Sequence, residues 1–139
     1  MAAYFVKTEE RTSKSWNRGG MWILGSREHH NLSVVDLISQ NGGKTLYGTA
    51  SYAGEKAMKV KAELKHGHVY NVYFRKGGIS TPWEVEGTWV IGANNSPMVT
   101  SIALNSPDKG DHLTGVVTFE DKSPMGFKAS MAGAMALAV

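Results

Sequence analysis

The chain contains no cysteine. Disulfide cross-links and thiolate metal sites are therefore excluded, and stability has to come from packing. Proline is sparse, with 4 in 139 residues. Long apolar runs are absent too. The small, apolar segment from Met131 to Val139 is nine residues, well short of the ~20 that a membrane helix needs. The opening residues, Met1 to Glu10, lack a cationic start followed by an apolar stretch, so no classical secretion signal is expected. The default expectation is a cytoplasmic protein, with release by a non-classical route left open. Charge of one sign is not concentrated either. The 15 Lys+Arg and 12 Asp+Glu give a net +3 with no run of five or six like charges, so a phosphate-tracking stripe and a nucleic-acid partner are not indicated.

What the chain does have is a repeat. Displaced by 67 positions, Trp16 falls on Trp83, Gly20 on Gly87, Trp22 on Trp89 and Gly25 on Gly92. The register continues through Leu37 on Leu104, Gly43 on Gly110, Gly48 on Gly115 and Met58 on Met125. Tryptophan is rare and glycine answers to backbone geometry, so these matches indicate a repeated backbone path. A period of 67 residues is long for a solenoid unit and short for an independent domain. Two copies, about 1–67 and 68–131, are thus expected to complete one shared core, followed by an apolar tail at 132–139. Where the copies differ is where function should be read.

Apolar residues alternate instead of recurring at helical spacing. Met58, Val60, Ala62 and Leu64 are interleaved with Lys59, Lys61 and Glu63, and Met125, Phe127, Ala129 and Met131 with Gly126, Lys128 and Ser130. This is the period of two of half-buried strands. Tyr70 to Arg75, Leu32 to Ile38, Met98 to Leu104, Thr45 to Tyr52 and His112 to Phe119 read as further strands. The glycine placed alike in the last two, Gly48 and Gly115, points to a bulge or to close approach of another backbone. Asn41-Gly42-Gly43, Asp108-Lys109-Gly110 and Asn94-Asn95-Ser96-Pro97 are turn signals. The chain is expected to be all-β, with about five strands per copy. About ten antiparallel strands favour closure into a barrel or a sandwich, because closure removes exposed edges.

The segment Gly19-Gly20-Met21-Trp22-Ile23-Leu24-Gly25-Ser26-Arg27-Glu28 closely resembles a signature of the Oscillatoria agardhii agglutinin family of bacterial lectins. Gly42 to Thr49 and Ser51-Tyr52-Ala53-Gly54-Glu55 resemble the same family. So do Thr81-Pro82-Trp83, Gly87 to Gly92 and Pro124 to Lys128 in the second copy. The resemblance spans nearly the whole chain, and it implies a single compact antiparallel β-barrel of about ten strands. It also implies calcium-free, non-catalytic binding of high-mannose glycans, with no cofactor. Each family site is similar to a shallow cleft: a Trp-Gly-Gly stretch from one repeat, completed by an Arg and a Glu from the other. An indole packs on the apolar face of a pyranose, glycine backbone approaches hydroxyls, and the charged pair reads the hydroxyl pattern.

Carried over by position, one site keeps Arg27, Glu55, Gly77 and Gly78 but has Lys76 where the indole belongs. The other reads Glu9-Glu10-Arg11 at its opening, with one residue deleted before Trp16. Asn94 stands at its Arg position and Lys122 at its Glu position. One site is half-preserved and the other lost, with Glu9 or Glu10 facing Lys122 across the old cleft if the family geometry holds. The alternative is a barrel scaffold that has lost sugar binding and serves as a protein-interaction or toxin-associated module. The plain alternative for Arg27 and Glu55 is a solvated or structural ion pair, worth little at a surface.

Other features have plainer readings. Trp22 and Trp89 recur where ligand residues do not, which marks them as packing residues. His66, His68, His29 and His30 lack a third ligand at metal-binding spacing and read as surface turns. No nucleophile elbow, phosphate loop or paired-carboxylate arrangement is present, so no enzyme is expected. The tail from Ala132 to Val139 suggests a monomer or a weak homodimer without membrane insertion.

Overall fold

The structure is a computed structural model that describes residues 2–9, 20–27, 31–93, 96–120 and 124–132. Alternating burial runs through it: Met58, Val60 and Ala62 are buried between Lys59, Lys61 and Glu63. Burying one face of each strand forces the sheet to wrap around its own apolar side. Ten strands result. They are β1 (Ala3–Glu9), β2 (Gly20–Ile23), β3 (Leu32–Ile38), β4 (Thr45–Tyr52) and β5 (Met58–His66), then β6 (Val69–Arg75), β7 (Glu84–Val90), β8 (Val99–Asn105), β9 (His112–Phe119) and β10 (Met125–Met131). They close into one antiparallel barrel in the order β1-β10-β9-β8-β3-β4-β5-β6-β7-β2. No helix among the described residues is long and apolar enough to cross a membrane.

The order interleaves the two copies. Hairpin β6–β7 of the second copy follows meander β3–β5 of the first, and hairpin β1–β2 of the first follows meander β8–β10 of the second. Two seams join equivalent residues, Asp36 with Ala103 in β3–β8 and Ile23 with Val90 in β2–β7. A pseudo-twofold axis therefore passes through both seams, and neither copy encloses a core alone. The repeated tryptophans Trp22 and Trp89 are fully buried, as their recurrence implied, and they pack edge-on against Phe127 and Phe74.

Gly48 and Gly115 mark close backbone approach and not a bulge. A Cβ at Gly48 would lie 1.8 Å from the Asp36 carbonyl oxygen, and one at Gly115 would lie 2.0 Å from that of Ala103. The register shifts lie elsewhere, as between Leu32 and Val34 and between Val99 and Ser101. Tyrosines peg the barrel across the copies: Tyr4 Oη donates to the Gly110 carbonyl at 2.8 Å and Tyr70 Oη to that of Gly43 at 2.5 Å. Tyr4 and Tyr70 are 66 positions apart, as are the ends of β1 and β6. The offset of 67 thus begins only after the first strand. This places Glu9 at the end of β1, equivalent to Arg75 at the end of β6, one position earlier than the uniform offset implied.

Candidate functional site

Antiparallel alternation brings the ends of β4 and β6, the starts of β5 and β7, and the segment leaving β2 to one end of the barrel. Arg27 lies in the segment after β2, Glu55 in the β4–β5 turn, and Lys76, Gly77 and Gly78 in the β6–β7 connection. Arg27 Nη1 donates to both carboxylate oxygens of Glu55, at 2.8 and 3.0 Å. Its guanidinium lies over the Tyr52 ring, 4.2 Å from the centroid. Arg27 and Glu55 are each about one-third exposed (35% and 36%), so water screens the pair and its stabilising worth is small, under about 1 kcal/mol. Its significance is positional, since it presents hydrogen-bonding groups at fixed places on the rim. Gly77 has φ of 102°, a conformation that disfavours any side chain, and a Cβ at Gly78 would meet open space. Arg27 and Glu55 are in contact, whereas Lys76, Gly77 and Gly78 stand on the neighbouring connection with no bond to them.

Beneath Arg27 is a residue the sequence did not single out. Glu86 in β7 accepts from Ser26 Oγ at 2.6 Å and Ser26 N at 3.1 Å, and also from Tyr52 Oη and Trp89 Nε1. Ser26 Oγ also bonds the Glu86 backbone carbonyl. A Cβ at Gly87 would come 2.5 Å from Ser26 Cβ, so glycine there lets the Ser26 segment lie flat on β7. Burial and the bond to Glu86 push the Tyr52 hydroxyl up to about 12. The network thereby locks both the segment carrying Arg27 and the ring under its guanidinium.

The other junction lacks this network. At the equivalent positions Ser26 becomes Ala93, Tyr52 becomes Phe119 and Glu86 becomes Gly19. Trp22, the counterpart of Trp89, accordingly has a buried Nε1 with no partner among the described residues. The backbone is nonetheless the same, since a Cβ at Gly20 would lie 2.6 Å from Ala93 Cβ. The sequence signal was available: three departures between otherwise matching copies, at Ser26, Tyr52 and Glu86, coincide in space. Of the residues expected at the lost site, Glu10, Arg11, Asn94 and Lys122 lie outside the described residues, as does any Glu–Lys bridge. For Glu9 only the strand position is described. His29, His30 and the tail beyond Ala132 also lie outside them.

His68 corrects an expectation. It is buried and not a surface turn, with Nδ1 and Nε2 each 3.1 Å from a carbonyl oxygen, those of Ile91 and Ser96. The physical reason is Gly92, whose missing side chain leaves room for the imidazole: a Cβ there would meet Nδ1 at 2.4 Å.

The model of the OAA-family lectin sugar binding domain matches residues 3–65 and again residues 68–132. The chain belongs to the OAA lectin family. It is 37% identical to Lectin OAA of Planktothrix agardhii over 86% of its own length and 90% of that protein's. It is 38% identical to the myxobacterial hemagglutinin of Myxococcus xanthus over 94% of its length, but it spans about half (49%) of that relative. The crystal structure of the Myxococcus protein, in complex with α3,α6-mannopentaose, superposes with a TM-score of 0.88 over 93% of this chain and 49% of that one. The agglutinin of Pseudomonas fluorescens, at 35% identity, gives a TM-score of 0.87 over 92% of this chain and 98% of its own. The barrel is thus shared over more than nine-tenths of this chain.

Proposed function

We propose that this lectin-family domain is a non-catalytic binder of mannose-rich glycans with a single working site, built from Arg27, Glu55, Lys76, Gly77 and Gly78. The observation that carries this reading is the Arg27–Glu55 pair, held over the Tyr52 ring by the Glu86 network. Sugar recognition needs polar groups fixed before the ligand arrives, since ordering them on binding costs affinity. The mannopentaose bound to the related Myxococcus hemagglutinin supports the choice of ligand. The apolar set Ala93 and Phe119 at the equivalent junction supports one site instead of two.

Lys76 favours a second reading, a barrel that no longer binds sugar. An indole against a pyranose contributes on the order of 1–2 kcal/mol, and lysine replaces it with hydrogen-bond donors alone. Titration with α3,α6-mannopentaose followed by NMR separates the two readings. Amide shifts confined to Arg27, Glu55, Gly77 and Gly78 are expected; no shift at millimolar sugar favours the scaffold. Lys76→Trp is expected to tighten binding about tenfold. An unchanged affinity would mean that position 76 does not face the sugar.

A further inference from the structure

On the wall of the barrel below this rim, strand register gathers cations that the sequence keeps apart. Lys59 stands directly opposite Arg75, and Lys61 opposite Tyr73, on the outward face of β5–β6. Like charges placed directly opposite repel, and no carboxylate among the described residues relieves this pair. Among the described residues neither Lys59 nor Arg75 makes an ion pair, and Lys61 reaches only Glu63 at 3.8 Å. Instead Arg75 and Lys61 converge on Trp83, and Lys61 also lies 5.1 Å from the Tyr73 ring centroid. The Arg75 guanidinium lies 4.4 Å and Lys61 Nζ 5.0 Å from its ring centroid. Arg75 Nη1 touches the Ile79 carbonyl at 3.4 Å, and its Nε is buried with no partner. An open cleft of about 410 Å³ adjoins them, walled by Tyr47, Thr49, Lys59, Arg75 and Trp83.

We propose that this cleft is a second binding site, for an acidic saccharide unit carrying a sulfate ester or a carboxylate. The planar Arg75 guanidinium, held against the Trp83 indole, offers directional N–H donors for such a group, and Lys59, with Lys61 beside the indole, adds charge. Two cations in the cleft, with Lys61 beside its indole wall, suit one anionic group, not the continuing phosphate track that a nucleic acid requires. The cleft belongs to one half of the barrel only. Lys59 and Val60 are replaced by Gly126 and Phe127 across the pseudo-twofold, and Arg75 by Glu9. Arg75 and Trp83 bracket the β6–β7 connection that carries Gly77 and Gly78, so the cleft adjoins the rim but does not depend on mannose binding there.

The test is an NMR titration of the full chain with N-acetylglucosamine 6-sulfate and with glucuronate, against N-acetylglucosamine and sodium sulfate at matched ionic strength. Either acidic sugar should shift the Trp83 indole N–H and Arg75 Nε–H resonances, and the tighter one identifies the acid group. Arg75→Gln, with its fold checked by amide dispersion, should weaken binding about tenfold, and Lys59→Gln should weaken it less. Equal shifts from sodium sulfate, equal shifts from the neutral sugar, or none at millimolar acidic sugar would each overturn the proposal. Mannopentaose is read at Arg27 and Glu55, so failure at one site stays distinguishable from failure at the other.

Discussion

Glu86 earns its place through the donors aimed at it. Trp89 and Tyr52 are fully buried and point polar hydrogens at its carboxylate, and Ser26 adds two more bonds. Removing an acceptor from buried donors costs their desolvation, about 1–3 kcal/mol per group. Glu86→Gly, which installs the residue of the other copy, is therefore expected to lower stability by roughly 2–4 kcal/mol in urea unfolding. Adding Ser26→Ala and Tyr52→Phe removes two of the stranded donors. The triple variant then matches the Ala93, Phe119 and Gly19 set and should recover at least about 1 kcal/mol over the single variant. A triple variant no more stable than Glu86→Gly would show that the donors are not what makes Glu86 costly to lose. Arg27 and Glu55 were legible in the sequence because they sit inside a recognisable motif. Glu86 was not, because its partners lie 60 and 34 positions away.

The strands themselves were largely legible. Content in Thr, Tyr, Val and Phe together with flanking turn signals gave β4 and β9 at their observed bounds, because such side chains suit a pleated, half-buried surface. The turns show the same economy in both copies. Ser39 Oγ accepts from Gly43 N at 2.9 Å and Asn41 Oδ1 accepts from Thr45 N at 2.9 Å. Ser106 Oγ accepts from Gly110 N at 2.6 Å, and Asp108 Oδ1 from His112 N at 2.9 Å. His112, donating to the Asp108 carboxylate, holds that carboxyl below its usual range. One position breaks the match: Gly42 has φ of 71°, and Lys109, its counterpart, has φ of 62°. A left-handed backbone costs a residue with Cβ about 1–2 kcal/mol, partly offset by the extra freedom glycine adds to the unfolded chain. Lys109→Gly is thus expected to stabilise by about 0.5–1 kcal/mol, seen as a higher urea midpoint with an unchanged slope. A lower midpoint would mean that the lysine side chain contributes more than its backbone costs.

The barrel as a body depends on both copies at once. Hairpins are exchanged across the pseudo-twofold, and Tyr4 and Tyr70 each bond a turn carbonyl of the opposite copy. Burial disfavours the ionised form of the three fully buried tyrosines, Tyr4, Tyr52 and Tyr70, and raises their pKa. Tyr52 and Tyr70 are pushed up to about 12, from an ordinary value near 10, and Tyr4 is raised further. A group that binds its proton more tightly when folded stabilises fully below its unfolded value and loses that contribution as pH rises through its folded value. Stability should therefore fall between pH 10 and about 12, by roughly 2–3 kcal/mol for each of Tyr52 and Tyr70. Thermal midpoints followed by circular dichroism across that window should drop steeply, and a Tyr52→Phe/Tyr70→Phe variant should drop less. Equal slopes in both proteins would place the alkaline loss elsewhere.

Sequence alone determined the repeated path, the all-β class, the buried indoles Trp22 and Trp89, and the family whose rim Arg27 and Glu55 resemble. Each of these is written locally, in a period of two, a turn glycine or a contiguous motif. Only the closed barrel decided which residues meet. Register set Lys59 opposite Arg75 beside Trp83, and the β2–β7 seam brought Ser26 onto Glu86. Such contacts join residues separated by tens of positions. They depend on strand register and closure, which no short window of sequence contains.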